Sequence, residues 1–147
     1  MVNPAKTPCI GVCSTGIGDS VCRGCKRYSH EVVGWNGYDE DERVAILARL
    51  DALLRQVLEA RIDIFDEALL KHQLDLQGVR YHIQQSPYSW FFEVLKVGAG
   101  QIKRPEDFGV RIALEYAHMP LREFKQMIDD DFFVLSTVHY ERYFEVV

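Results

Sequence analysis

The sequence contains no run of about 18 apolar residues, so it encodes no membrane-spanning helix. Residues Met1 to Thr7 lack the charged-then-apolar order of a secretory signal, which makes a cytoplasmic address the expectation. A nucleophile elbow, a phosphate-cradling glycine loop and a dinucleotide fingerprint are also missing: Gly98-x-Gly100 has neither the third glycine nor a preceding strand. The polypeptide alone therefore reads more readily as a non-enzyme, and any catalysis would have to run through a bound metal. There is no repeat and no low-complexity tract. Cysteine is scarce, with four residues in 147, and all four fall within the first 25 positions.

Hydrophobic residues make up 48% and charged residues 27%, which suits a chain that buries a real core. The net charge of −5 opposes general attraction to a phosphate backbone, but the charge is unevenly spread. Residues 1–38 carry Lys6, Arg23, Lys26 and Arg27 against Asp19 and Glu31, so the cysteine end is basic and the rest acidic. Three cations beside Cys22 and Cys25 read first as a solvated loop surface, and second as a contact for RNA or an acidic protein.

The spacing Cys9-x3-Cys13-x8-Cys22-x2-Cys25 forms two pairs joined by a short glycine-bearing loop. A reducing cytoplasm disfavours two disulfides. Metal binding explains the clustering better, because close pairs let sulfurs converge on one ion while nearby amides point at them, and Gly11 and Gly24 inside the pairs permit the tight turns. The four cysteines suit a structural zinc ion or an iron–sulfur cluster equally, and the spacing leaves both open. His30 is a substitute ligand that lies out of register with the pairs.

At these residues the chain resembles a known family. Pro8-Cys9-Ile10-Gly11-Val12-Cys13, Val21-Cys22-Arg23-Gly24-Cys25-Lys26-Arg27, Glu31, Trp35 and Asp41-Glu42-Arg43 look like the signature of the bacterial domain of unknown function family 1289, whose members are described as predicted iron–sulfur proteins. The resemblance covers about residues 8–50. It implies a bacterial, cytoplasmic protein with Cys9, Cys13, Cys22 and Cys25 as metal ligands and Trp35 as a cover for the site.

Behind the cysteines the pattern turns helical. Ser29 can cap a short helix that runs to about Trp35 and stops at Asn36-Gly37. Asp39, followed by Glu40, Asp41 and Glu42, opens a second helix at the end where its dipole favours anions. Val44, Leu47, Leu50, Leu54, Val57, Leu58, Ile62, Phe65 and Leu69 then recur at spacings of three and four, predicting one long helix to about Gln77 unless it breaks near Asp63 to Asp66. Val79 to Gln85 reads as strand or helix. Ser86-Pro87 opens a helix with Trp90, Phe91, Val94 and Leu95; Pro105 opens another with Phe108, Ile112, Ala113, Tyr116 and Ala117; Pro120 opens a third with Leu121, Phe124, Met127 and Ile128. The tail from Phe132 to Val147 is helix or strand, and helix is favoured because a lone strand needs partners.

The expected architecture is all-α: a small four-cysteine metal-binding head (1–38), then a multi-helix domain (39–147) with one long helix. Other candidate chemistry is thinner. Glu115-x2-His118 has the spacing of a di-iron helix but no second copy. The aromatic stretches around Tyr81 to Phe92 and Tyr140 to Phe144 lack interleaved Lys and Arg, so they read as core packing before base stacking. Lys103-Arg104 reads as a solvated turn. Three functions follow: a metal-binding, non-enzymatic adaptor or regulator acting on a protein partner; an iron–sulfur redox protein for electron transfer or oxidant sensing; and nucleic-acid binding through the basic head.

Overall fold

The computed structural model describes residues 7–8, 14–15, 18–99 and 102–144. Among these, five helices and two short strands follow in the order α1 (Ser29–Gly34), α2 (Glu40–Glu59), β1 (Ile62–Ile64), α3 (Glu67–Leu76), α4 (Pro87–Gly98), β2 (Val110–Ile112) and α5 (Leu121–Phe144). The protein is mostly helical, as its periodicity predicts, with a two-stranded antiparallel sheet in addition.

The helix starts follow local chemistry. Asp39 caps α2: its carboxylate accepts from the Glu42 amide at 2.8 Å, and Glu42 Oε1 accepts from the Asp39 amide at 3.3 Å. Ser86 caps α4 and Pro87 follows at the first turn, where its missing N–H costs nothing. That corner is tied to α2, because Asp51 accepts from the Ser86 amide and from the hydroxyls of Ser86 and Ser89. At the other end of the chain, α1 is capped one residue earlier than expected, by Tyr28, whose amide donates to Glu31 Oε1 at 2.9 Å.

The single helix to Gln77 does not form, and the break falls near Asp63 to Asp66. Ile62, Asp63 and Ile64 alternate in burial and pair with Ile112, Arg111 and Val110. Asp66 then caps α3 through the Leu69 amide at 3.0 Å. The helix expected from Pro105 is likewise corrected: a 3₁₀ turn at Pro105–Phe108, β2, and a second turn at Leu114–Tyr116 replace it. Gly109 explains both departures. Its φ is +73°, its carbonyl accepts from the amides of Phe65 and Asp66, and a Cβ there would lie 2.2 Å from the Asp66 carbonyl oxygen. The chain can cross itself here only with glycine at that position.

The core lies where α2, α4 and α5 meet. Leu50, Leu54 and Leu58 face Phe91, Val94 and Leu95 from α4 and Phe124, Ile128 and Phe132 from α5 in one buried cluster, which also takes in Trp35. The aromatic stretch around residues 81–92 is core, as expected: Tyr81, Trp90, Phe91 and Phe92 are buried. Pro120 does precede a helix, and the tail continues it without interruption to Phe144. Among the described residues no helix is long and apolar enough to cross a membrane.

Candidate metal centre

Residues 20–29 fold back on themselves, with Cys22 and Cys25 at the bend. Val21 and Tyr28 form an antiparallel bridge, the Cys22 amide donates to the Arg27 carbonyl at 2.8 Å, and the Lys26 amide donates to the Cys22 carbonyl at 2.8 Å. Lys26 takes a φ of +67°, the one non-glycine residue with positive φ among those described. A lysine in that conformation is uncommon and needs local compensation. Its ammonium supplies it by donating to the carbonyls of Arg23 and Gly24 and to Asp129 Oδ1 on α5, the last at 2.6 Å.

Cys22 is 1% and Cys25 9% exposed. Burial pushes the Cys22 thiol up, but the backbone amides of Cys25, Ser14 and Gly24 donate to its sulfur and outweigh that cost, bringing it down to about 7. For Cys25 burial prevails and raises the thiol, although Arg27 donates to it and its charge opposes the rise. Arg27 Nε lies 3.2 Å from Cys25 Sγ. Cysteine sulfurs that collect backbone N–H donors within a tight turn are arranged as they would be to bear negative charge, which is the form in which they bind metals.

Of the four expected ligands, Cys22 and Cys25 are brought together in this turn, while Cys9 and Cys13 lie outside the described residues. The neighbours of that first pair are placed, and both sit beside the second. Ser14, which follows Cys13 in sequence, is buried, donates its amide to Cys22 and accepts from the Arg23 amide at 2.8 Å through its hydroxyl. Pro8, which precedes Cys9, lines with Gly24, Cys25 and Lys26 a cavity of about 140 Å³ against α2, α4 and α5. Among the described residues, Cys22 and Cys25 thus form one thiol pair whose donors are of the kind that bind thiophilic ions.

The three cations are not the solvated patch that the sequence suggests. Only Arg23 exposes its side chain, pairing with Asp19 at 3.4 Å and lying over the Phe133 ring. Lys26 is 1% exposed and Arg27 3%. Arg27 stacks on Trp35, its guanidinium carbon 4.9 Å from the ring centroid, so the tryptophan reaches the cysteines through Arg27. The other motif residues brace the same corner. Glu31 is buried and takes both arms of Arg49 at 2.5 and 2.7 Å, and Arg43 donates to the carbonyls of Trp35 and Asn36. His30 is exposed on α1.

Two supporting residues had no signal in the sequence. Arg49 covers the Tyr28 ring at 3.9 Å, and Asp129 holds Lys26 from 103 residues away. Glu115 sits in the Leu114–Tyr116 turn and His118 beyond it, so their spacing does not put them on one helix face. Among the described residues, no three His, Cys, Asp or Glu side chains gather as a metal site.

Fold and site define a mostly helical protein with a buried Cys-x2-Cys turn seated against its last helix. Residues 7–54, from just before Cys9 into the third quarter of α2, match the model of a family described as "Protein of unknown function (DUF1289)". No curated protein and no solved structure matches the chain.

Proposed function

We propose that the chain is a bacterial, cytoplasmic four-cysteine metal protein in which Cys9, Cys13, Cys22 and Cys25 hold one zinc ion or iron–sulfur cluster, and that it acts as a non-enzymatic adaptor or regulator through a protein partner. The observation that supports this most is the convergence on the Cys22–Cys25 turn: backbone donors aimed at Cys22, with Ser14 and Pro8 bringing the flanks of the other pair alongside. Four protein thiolates close a tetrahedral zinc site and leave no open position for substrate, so such an ion would supply folding energy and shape.

A second reading, an iron–sulfur protein for electron transfer or oxidant sensing, is favoured by one feature. N–H donors and a guanidinium beside cysteine sulfur stabilise added negative charge and would raise a cluster's reduction potential. Nucleic-acid binding through the basic head is the weakest reading, because Lys26 and Arg27 are buried and cannot neutralise phosphates where they stand.

Purification of the full chain without air, followed by absorption spectroscopy and analysis for zinc, iron and sulfide, tests the proposal. A colourless protein with about one zinc per chain supports the adaptor, and iron with sulfide supports the redox reading. Protein that carries none of these, and takes up neither zinc nor a cluster in reconstitution, contradicts both. Cys22→Ser removes a ligand and is expected to abolish retention.

A further inference from the structure

Arg27 poses an electrostatic problem that the four-cysteine centre answers. Its side chain is 3% exposed, yet among the described residues no carboxylate pairs with it. Its described contacts are the Trp35 ring and Cys25 Sγ. The other cations of the same corner do have carboxylates, the buried Lys26 with Asp129 and the half-buried Arg49 with Glu31. A buried cation without an anion is strongly destabilising, and a stacked ring recovers only part of its lost hydration. The remaining neighbour able to carry negative charge is the cysteine site. Four thiolates around a divalent ion leave a net charge of about −2, which a buried site must have offset.

We propose that Arg27 is the resident counter-charge of the four-cysteine centre, orienting Cys25 through its Nε and balancing the charge that the thiolates leave behind. The assignment rests on the proposed metal centre and adds a positioning residue to it. It also gives the basic character of residues 22–27 a purpose inside the molecule. Lys26 closes the turn against α5, Arg27 neutralises the sulfurs, and Arg23 alone remains exposed.

The test uses the full chain, reduced and stripped of metal under argon, then titrated with Zn²⁺ against a chromogenic chelator. Arg27→Met keeps the apolar stem over Trp35 and removes the charge; it is expected to weaken zinc binding by about tenfold to a hundredfold, as removal of a residue that supports a metal ligand does. Arg27→Lys keeps the charge and is expected to recover most of that loss. In the metal-free protein, Arg27→Met is expected to leave the melting temperature unchanged or higher, because a buried unpaired charge has gone. A purely packing role predicts a lower melting temperature instead. If Arg27→Met does not fold, Arg27→Gln serves as the neutral variant in the same titration. Zinc binding by the neutral variant as tight as that of the native chain overturns the assignment of Arg27 while leaving the centre intact. Failure of the native chain to bind zinc and to take up a cluster in reconstitution overturns the centre, and Arg27's role with it.

Discussion

The segment around Cys22 and Cys25 and the α2–α4–α5 core are held together by different forces. The core closes by apolar burial: Leu58, Phe91, Phe124 and Ile128, with Leu70 and Leu74 of α3 packed alongside, are fully buried, and their stability comes from water released from their surfaces. The cysteine turn buries charge instead. Lys26, Arg27, Glu31 and two thiols sit below the surface within ten residues of one another, held by hydrogen bonds, ion pairs and stacked rings. Apolar packing tolerates small imperfections, whereas a network of buried charges is stable only when every partner is present. On the proposed reading the apolar core keeps its fold when the metal is removed, while the turn loses the partner that would satisfy its sulfurs and Arg27.

Substitutions separate the two regions. Phe91→Ala should cost about 3–5 kcal/mol in urea denaturation and lower the stability of the whole molecule, because it opens a cavity where α2, α4 and α5 meet. Gly109→Ala should cost about 2 kcal/mol, from the left-handed backbone and the collision with the Asp66 carbonyl, loosening the β1–β2 crossing while metal retention stays unchanged. Asp129→Asn should cost about 1.5 kcal/mol by weakening a charge-assisted hydrogen bond. Its effect should appear as faster amide exchange at residues 22–28, with α4 unaffected. Asp63→Asn, at an exposed pair with Arg111 3.9 Å away, should change stability by less than about 0.5 kcal/mol. If Asp129→Asn loosened α4 as much as the turn, the contrast between the regions would be lost.

What the sequence revealed divides along the same line. The starts of α2 and α4 were legible because Asp39 with Glu42, and Ser86 with Pro87, act on their own first turns. The tail left helix and strand open, with helix favoured because a lone strand needs partners, and it does continue α5 to Phe144. The break after α2 was marked only as a possibility, since Ile62 and Phe65 fit a helical stripe until β2, almost fifty residues later, offers Ile62 and Ile64 a partner strand. The stretch after Pro105 was misread for the same reason: nothing local shows that Gly109 must accept two amides from the β1–α3 junction. At the site, spacing alone named the cysteine pairs, and Trp35 was named as a cover, while the burial of Lys26 depends on Asp129, 103 residues away. Local motifs announce donors, and distant residues decide how their charge is balanced.

Hydrogen–deuterium exchange of the full chain, purified without air, before and after treatment with a metal chelator under reducing conditions, shows whether the cysteine turn and the apolar core depend on different partners. Removal of the proposed metal should speed exchange across residues 20–28 while the amides of α4 and the middle of α2 stay protected. Unchanged protection of residues 20–28 after the metal has gone would contradict this prediction, as would loss of protection in α4 to the same degree.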